Sequence, residues 1–469
     1  MFNLKINKYL LSSLWYMVAI GVGYSISFIG SIVFTHLMDT NSYGLYTTYY
    51  SVVSLSGPFV CGNLFIGLQN GYFDFKENRT DFRASVFFLS LIIFLIILCI
   101  CFLICFFVNA VTKYNYSESL LLVALIHSFS FFVINYFNTY ENLCSHYKLR
   151  SVLIVLQNVL PVVVSIILIM SFAKNSYYER IIGSTSPLII ISIILGFLIL
   201  KNGKQFLNKN YYQYALKISV PSMFGSISSL VMSNADNIMI TSMVGAEATA
   251  VYGFMYNIGN VLVVILSAVS ASVTAWVYNA LNTKRTEAAK TGQKWYYLFF
   301  VLIICGLLMI FPEFIKLFAP EEYWDFRYIV PFVFASSLNV VNVLHCDIIN
   351  YNKKTGQVSL CVAVSAGINI ILNYFFIKNW GAVAAAYTSL VSMLIQTILY
   401  RIVLKRTEKN IFSDFYSVLY IILIFTLCTF FNFMYNNILI RYFVYSFIIL
   451  CLVAVIVYKR HNLKELIKS

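Results

Sequence analysis

Charge is what this sequence has least of: Asp, Glu, Lys and Arg make up 11% of its 469 residues against 60% that are hydrophobic, and the mean hydropathy is +0.82. A soluble chain carries about 25% charged residues to cover its surface, so a soluble globular fold is excluded. Short alternating strands are missing too. A transmembrane barrel would show ~10-residue alternating segments, whereas the run SVFFLSLIIFLIILCICFLICFFV, from Ser85, is apolar almost throughout. No cysteine pair has CxxC spacing, and Cys99, Cys101, Cys105, Cys305, Cys361, Cys428 and Cys451 stand inside apolar runs. A cysteine there is a small buried hydrophobe, so neither a metal centre nor a disulfide framework is expected. No GxxxxGK[ST] loop occurs, the nearest basic-glycine patch being KNGKQ from Lys201, and an ATPase built on that loop is excluded. No connection between apolar runs exceeds about fifteen residues, the longest on the outer side being 312–327. That leaves no room for a catalytic domain outside the membrane, so any function lies among the helices or at their ends.

What remains is about 14 apolar segments of membrane-spanning length: 11–37, 43–68, 84–108, 119–140, 152–172, 181–200, 214–244, 248–277, 295–311, 328–349, 358–377, 382–404, 415–435 and 442–458. The first follows MFNLKINK and runs uncharged to Met38, too long for a signal-peptide core, so it is expected to stay as a helix. Alternating the chain across the membrane from the N-terminus puts 25 of the 32 Lys and Arg on one side. The other side keeps Lys113, Lys174, Arg180, Lys316, Arg327, Lys378 and Arg441. By the positive-inside rule the rich side is cytoplasmic and both termini lie there. The net charge of +14 is then a signal of topology and of attraction to anionic membrane lipids, not of nucleic-acid binding.

The chain also resembles itself. At an offset of 206 residues Thr35 lies over Thr241, Tyr46 over Tyr252, Tyr50 over Tyr256, Glu141 over Asp347 and Lys148 over Lys354. One constant offset serving distant segments predicts two parallel six-helix repeats, residues 1–213 and 214–410, with two further helices and a cytoplasmic tail in 411–469. Parallel repeats of this kind place the substrate path between the halves. The expected fold class is therefore an all-α polytopic membrane protein of about 14 transmembrane helices, two six-helix lobes plus two C-terminal helices.

The segment from Tyr214 is the most polar of the spans. Ser219, Ser222, Ser226, Ser229, Ser233 and Asp236 recur every three or four residues and so share one helical face. Lipid offers hydroxyls no partner, and the stripe is expected to line a cavity or to pack closely against another helix. Charges at mid-membrane cost ~2.5–3.5 kcal/mol on insertion scales, which makes the few present worth naming. Asp236, ~28 Å along the axis from Lys217, is expected in the outer third as a coupling or gating carboxylate, with Asn237 beside it. Lys217 and Arg83 each open a span from the cytoplasmic side and are expected to meet an anionic headgroup or to reach lipid phosphate. Glu141 and Asp347 lie about one and a half turns inside the cytoplasmic edge, as gate residues or partners of loop cations. His127 in the fourth span and His345 in the tenth are the groups able to titrate near neutral pH, or polar packing residues. No Lys or Arg is expected deep inside a span. Pro161 and Pro221 remove backbone donors and favour kinks.

With DTNSYGLY after the first span, VPSMFGSISSLVMSNADNIMI followed by GAEATAVY, and NWGAVAAAYTSL before the twelfth, nearly the whole chain resembles the bacterial polysaccharide transporters. These are the O-antigen flippases of the multidrug/oligosaccharidyl-lipid/polysaccharide exporter superfamily. Two positions depart from the family pattern: Asn237 stands where relatives often carry a basic residue, and Ala384 where GxxGAA has its second glycine. The resemblance implies a transporter that makes and breaks no bond and moves an undecaprenyl-diphosphate-linked oligosaccharide across the bacterial cytoplasmic membrane. No cofactor is implied, H+ or Na+ being the open choices of coupling ion. The partners implied are the lipid-linked oligosaccharide, a polysaccharide polymerase and a chain-length regulator. A multidrug exporter of the same superfamily and a membrane polysaccharide polymerase or ligase are the alternatives.

Overall fold

The computed structural model describes residues 8–111, 118–172, 176–283, 285–406 and 412–458. Lys113, Lys174 and the expected tail after Tyr458 lie outside them. The described residues are helical apart from short connections. The helices are α1 (Lys8–Leu37), α2 (Thr40–Cys61), α3 (Leu64–Asp74), α4 (Arg79–Val111), α5 (Glu118–Leu143), α6 (Tyr147–Phe172), α7 (Ser176–Lys201) and α8 (Lys209–Met243). There follow α9 (Ala246–Gly259), α10 (Val261–Thr283), α11 (Thr286–Phe318), α12 (Ile329–Tyr351), α13 (Thr355–Trp380), α14 (Ala382–Lys405), α15 (Asp414–Met434) and α16 (Ile438–Tyr458). Twelve spans pass by length and hydropathy, and α2 with α3 makes a bent thirteenth. The shorter apolar stretch Ile438–Ala454 in α16 corresponds to the last of the expected segments.

Two of those expected segments are not continuous. The run 43–68 breaks at Gly62 and Asn63, and the run 248–277 breaks at Asn260. Both breaks are invisible to hydropathy because the flanking residues stay apolar. The repeat, in contrast, recurs in the helix boundaries. Thr40 and Ala246 open α2 and α9, and Ser176 and Ala382 open α7 and α14, each pair 206 positions apart.

The chain divides into two compact units, up to Ile238 and from Met239, a division that falls inside α8. The physical reason lies in the hydrogen bonds of α8: Ser219, Ser222 and Ser226 bond α3 and its N-cap, and Asn237 bonds Ser51 of α2.

In the first unit α1 packs on α6, α6 on α7, and α5 on α2 and α7. Its core is Leu64, Leu68, Phe82, Phe87, Tyr136, Leu188 and Ile199, with Phe75 stacked on Phe82 at 4.7 Å between ring centres. Where α6 meets α7, a Cβ on Gly183 would come 2.4 Å from Ser165 Cα, so only glycine permits this approach. Small residues at such contacts let helices approach where lipid supplies no hydrophobic drive.

In the second unit α12 is the most buried span and packs on α10, α14 and α15. Helices α13 and α14, joined at Gly381 (φ 72°), are stitched by buried polar groups. Asn373 Nδ2 donates to Asn369 Oδ1 at 3.2 Å, Asn369 Nδ2 to Ser389 Oγ at 3.0 Å, and Thr388 Oγ1 to Asn373 Oδ1. Helix α16 is held to α11 by Arg441, 0% exposed, which donates to the Met309 and Tyr435 carbonyls and to Glu313.

Gly183→Ala should destabilise the protein by ~1–3 kcal/mol, the usual cost of overpacking, read as an earlier thermal transition in detergent; an unchanged transition would show that α6 and α7 can separate at no cost.

Candidate functional site

The buried charge of the first unit gathers where α4 meets the end of α5. Arg83 lies one turn into α4 and is 6% exposed, and Glu141 of α5 is also 6% exposed. Arg83 Nη1 stands 3.6 Å from Glu141 Oε1, and Glu141 Oε2 bonds His146 Nδ1 at 2.7 Å. The guanidinium plane lies 4.7 Å from the Phe137 ring centre and 4.0 Å from that of Tyr140, and the Tyr136 hydroxyl donates to the Arg83 carbonyl at 2.7 Å. Aromatic faces carry partial negative charge and hold a cation partly stripped of water. Helical spacing produces this arrangement, since Phe137, Tyr140 and Glu141 are three and four residues apart and so share a face. Two guanidinium nitrogens, Nε and Nη2, are buried with no hydrogen-bond partner. An arginine so placed keeps N–H donors free for an anionic oxygen. Arg83 stands near the start of its span, where the sequence places it, but it is buried among rings of α5.

Lys217 is exposed and sits eight residues into α8, which begins at Lys209, so it does not open the helix. No hydrogen bond or ion pair joins it to Arg83 among the described residues. The serine stripe divides in function. Ser219, Ser222 and Ser226 bond α3 and its N-cap, whereas Ser229 and Ser233 return their hydroxyls to carbonyls of their own helix. Asp236 is 4% exposed, and Asn237 Nδ2 donates to Ser51 Oγ of α2 at 2.9 Å.

His127 of α5 is 1% exposed, with Nδ1 between the Tyr49 hydroxyl at 3.1 Å and Thr185 Oγ1 at 3.0 Å, and Nε2 buried without a partner. Tyr49, His127 and Thr185 each lie nine residues from an end of α2, α5 and α7, about 14 Å along each helix. In the second unit Asp347 accepts from Thr274 Oγ1 at 2.9 Å, and His345 is 6% exposed with Nδ1 unpartnered. The sequence-named residues thus fall into separate groups: Arg83 with Glu141, His127 with two hydroxyls, Asp236 and Asn237 on α8, and Asp347 and His345 on α12.

Two features escape sequence reading. Arg180, counted only as an outer-side cation, lies 3.0 Å above the Phe34 ring centre and 4.4 Å from that of Tyr46, with Nε unpartnered. Tyr43, Tyr46 and Tyr50, spaced at helical intervals, were its available signal. Asn63 is the other. It has a left-handed backbone in the middle of an apolar run, and its Gly-Asn dipeptide is a turn signature.

A membrane-spanning, twice-repeated set of helices with caged cations defines the class: a polytopic α-helical membrane protein. The chain belongs to the family described as "Polysaccharide biosynthesis protein", which matches residues 10–277, and the MatE family matches residues 221–375. Its fold is similar to that of the lipid II flippase MurJ in an inward closed conformation, with 14% identity and TM-score 0.69, covering 97% of this chain and 100% of that one. It is also similar to an inward-facing multidrug resistance MATE family transporter of the MOP superfamily, with 14% identity and TM-score 0.59, covering 84% and 96% of the two chains. A mutant of the Vibrio cholerae MATE transporter VcmN follows at 13% identity and TM-score 0.56, covering 86% and 97%. A sequence comparison with curated proteins gives no match.

Glu141→Ala should cost ~3 kcal/mol, because it leaves Arg83 buried without its counter-charge, whereas His146→Ala, at a side chain 63% exposed, should cost under ~1 kcal/mol. Thermal unfolding of both variants checks this, and equal losses would show that the buried pair carries no load.

Proposed function

We propose that this protein is a flippase that moves an undecaprenyl-diphosphate-linked oligosaccharide, an O-antigen or capsule repeat unit, from the inner to the outer leaflet of the bacterial cytoplasmic membrane. In this reading residues 1–213 and 214–410 form two lobes that expose the substrate path alternately, both termini are cytoplasmic, and no bond is made or broken. Residues 411–469 stand outside the repeat. A polymerase and a chain-length regulator would take the product onward.

The observation that carries the reading is Arg83, a buried cation with two unpaired guanidinium nitrogens close to the end of a span. A diphosphate is the anion such a fork suits, since its oxygens accept paired N–H groups. Membership of the polysaccharide biosynthesis family supports the glycan part. Coupling to H+ or Na+ belongs to the same proposal, with Asp236, Asn237, Glu141, Asp347, His127 and His345 as the groups to vary, and Lys217 as the second headgroup contact. The MatE match over 221–375 favours one competing reading, a drug exporter.

Deletion should remove surface glycan and cause the lipid-linked repeat unit to accumulate, with drug susceptibility unchanged. Arg83→Ala should lower export roughly ten-fold or more, the loss expected for a charged hydrogen bond, and Arg83→Lys should lower it less. Normal surface glycan in a deletion strain with no second copy would overturn the proposal, and drug hypersensitivity would favour the exporter.

A further inference from the structure

The break between α2 and α3 is built from two consecutive left-handed residues, Gly62 (φ 59°) and Asn63 (φ 55°), and it bends the span by 43°. Glycine takes this conformation freely; asparagine does so against a preference of roughly five- to thirty-fold for the right-handed one. Asn63 also forgoes its usual work. Asparagine is among the best N-cap residues, and it stands at the N-cap of α3, yet its side chain makes no cap hydrogen bond. Its Nδ2 instead donates to Ser222 Oγ at 3.1 Å and Ser226 Oγ at 3.0 Å, one turn apart on α8. The Gly67 N–H in the first turn of α3 is met by Ser219 Oγ at 3.1 Å. Helix α8 therefore caps α3 from outside. The fit is tight, since a Cβ on Gly67 would come 2.9 Å from Ser219 Oγ and 3.0 Å from Ala215 Cα.

These groups have a second set of partners close at hand. With residues 62 and 63 right-handed, α2 and α3 would form one helix and Gly67 N–H would donate to the Asn63 carbonyl four residues back. That carbonyl now accepts from Ile66 N–H at 3.1 Å, and Ser222 Oγ already donates to the Ser219 carbonyl at 2.6 Å. Two arrangements that each satisfy the backbone are what a discrete switch requires.

What the switch would move is α8. Only 11% of its span window is buried, the lowest share among the candidate spans, so a few polar ties hold much of it. Pro221 lies within the clamped turn and removes a backbone donor there. A further tie, Asn237 to Ser51, joins α8 to α2 on the other side of the break. Helix α8 is thus bonded to both arms of a bent span, and a change of bend angle must strain or release one of the ties.

We propose that Asn63 is a positioning residue of the transport cycle. The α2–α3 span alternates between the bent form, clamped to α8 through Ser219, Ser222 and Ser226, and a straightened form in which the clamp opens and α8 tilts at Pro221. The link to transport rests on the flippase reading, whereas the switch itself does not.

Spin labels carried by unnatural amino acids at Phe73 of α3 and Phe224 of α8, 57% and 72% exposed, would report the α3–α8 distance in the full chain without substrate. The wild type should show one dominant distance. Gly62→Ala with Asn63→Ala should shift the population ratio about ten-fold toward a second distance. The pair Ser222→Ala with Ser226→Ala should shift it in the same direction by less, because it leaves the backbone preference of residues 62 and 63 unchanged. Glycan flux should fall in the order of the shifts. An unchanged distance distribution in the folded double-alanine variant would overturn the switch; if that variant fails to fold, an unchanged distribution in the serine pair decides the same way. Shifted distances with wild-type flux would overturn the role in transport. Absence of flux from the wild type itself would instead count against the flippase reading.

Discussion

A helix crossing hydrocarbon has no water to satisfy its backbone, so every interruption must be repaired by some other part of the protein. Much of the interior of this molecule can be read as such repairs. The break at Gly62 and Asn63 is closed by serine hydroxyls of α8. The buried amides Asn369 and Asn373 of α13 bond each other and reach Ser389 and Thr388 of α14. Arg441 meets the Met309 carbonyl within α11 and the Tyr435 carbonyl at the close of α15. Polar residues are scarce in this sequence, and many of the buried ones bond across helices.

The same constraint governs the cations. Three arginines come to rest on aromatic faces or carbonyl oxygens: Arg83 between Phe137 and Tyr140, Arg180 over Phe34 and Tyr46, and Arg441 beneath the end of α15. Guanidinium suits this better than ammonium, being planar and more weakly hydrated. Arg83 differs from Arg441 in having donors to spare. Arg441 spends its donors on three acceptors, so its role is structural, whereas Arg83 retains the capacity to engage an anion.

Much of the fold was legible from hydropathy, because continuous apolar runs of membrane length leave few alternatives to helices, and the 206-residue offset reappears in the helix boundaries. The breaks at Asn63 and Asn260 were not legible from hydropathy, which averages over the one or two residues that interrupt a helix. The serine stripe was visible as a face, but its partner was not: the choice between cavity and packing depends on Asn63, 163 residues away from Ser226. The burial of the charged residues was not legible for a related reason. Counting from loop cations places Arg83 and Arg441 at edges, while aromatic rings and carbonyls supplied by other helices allow them to be buried.

The burial of Arg441 bears on how the chain is assembled. Its acceptors lie on α11, at Met309 and Glu313, and at the close of α15, at Tyr435. Synthesis delivers α11 long before α16, so the final helix enters a bilayer in which its counterpart is already waiting. A misplaced α11 would leave Arg441 without its carboxylate and one of its carbonyl acceptors. The seat of α16 thus depends on a helix made much earlier in the chain, which supplies both the carboxylate and a carbonyl acceptor for its arginine.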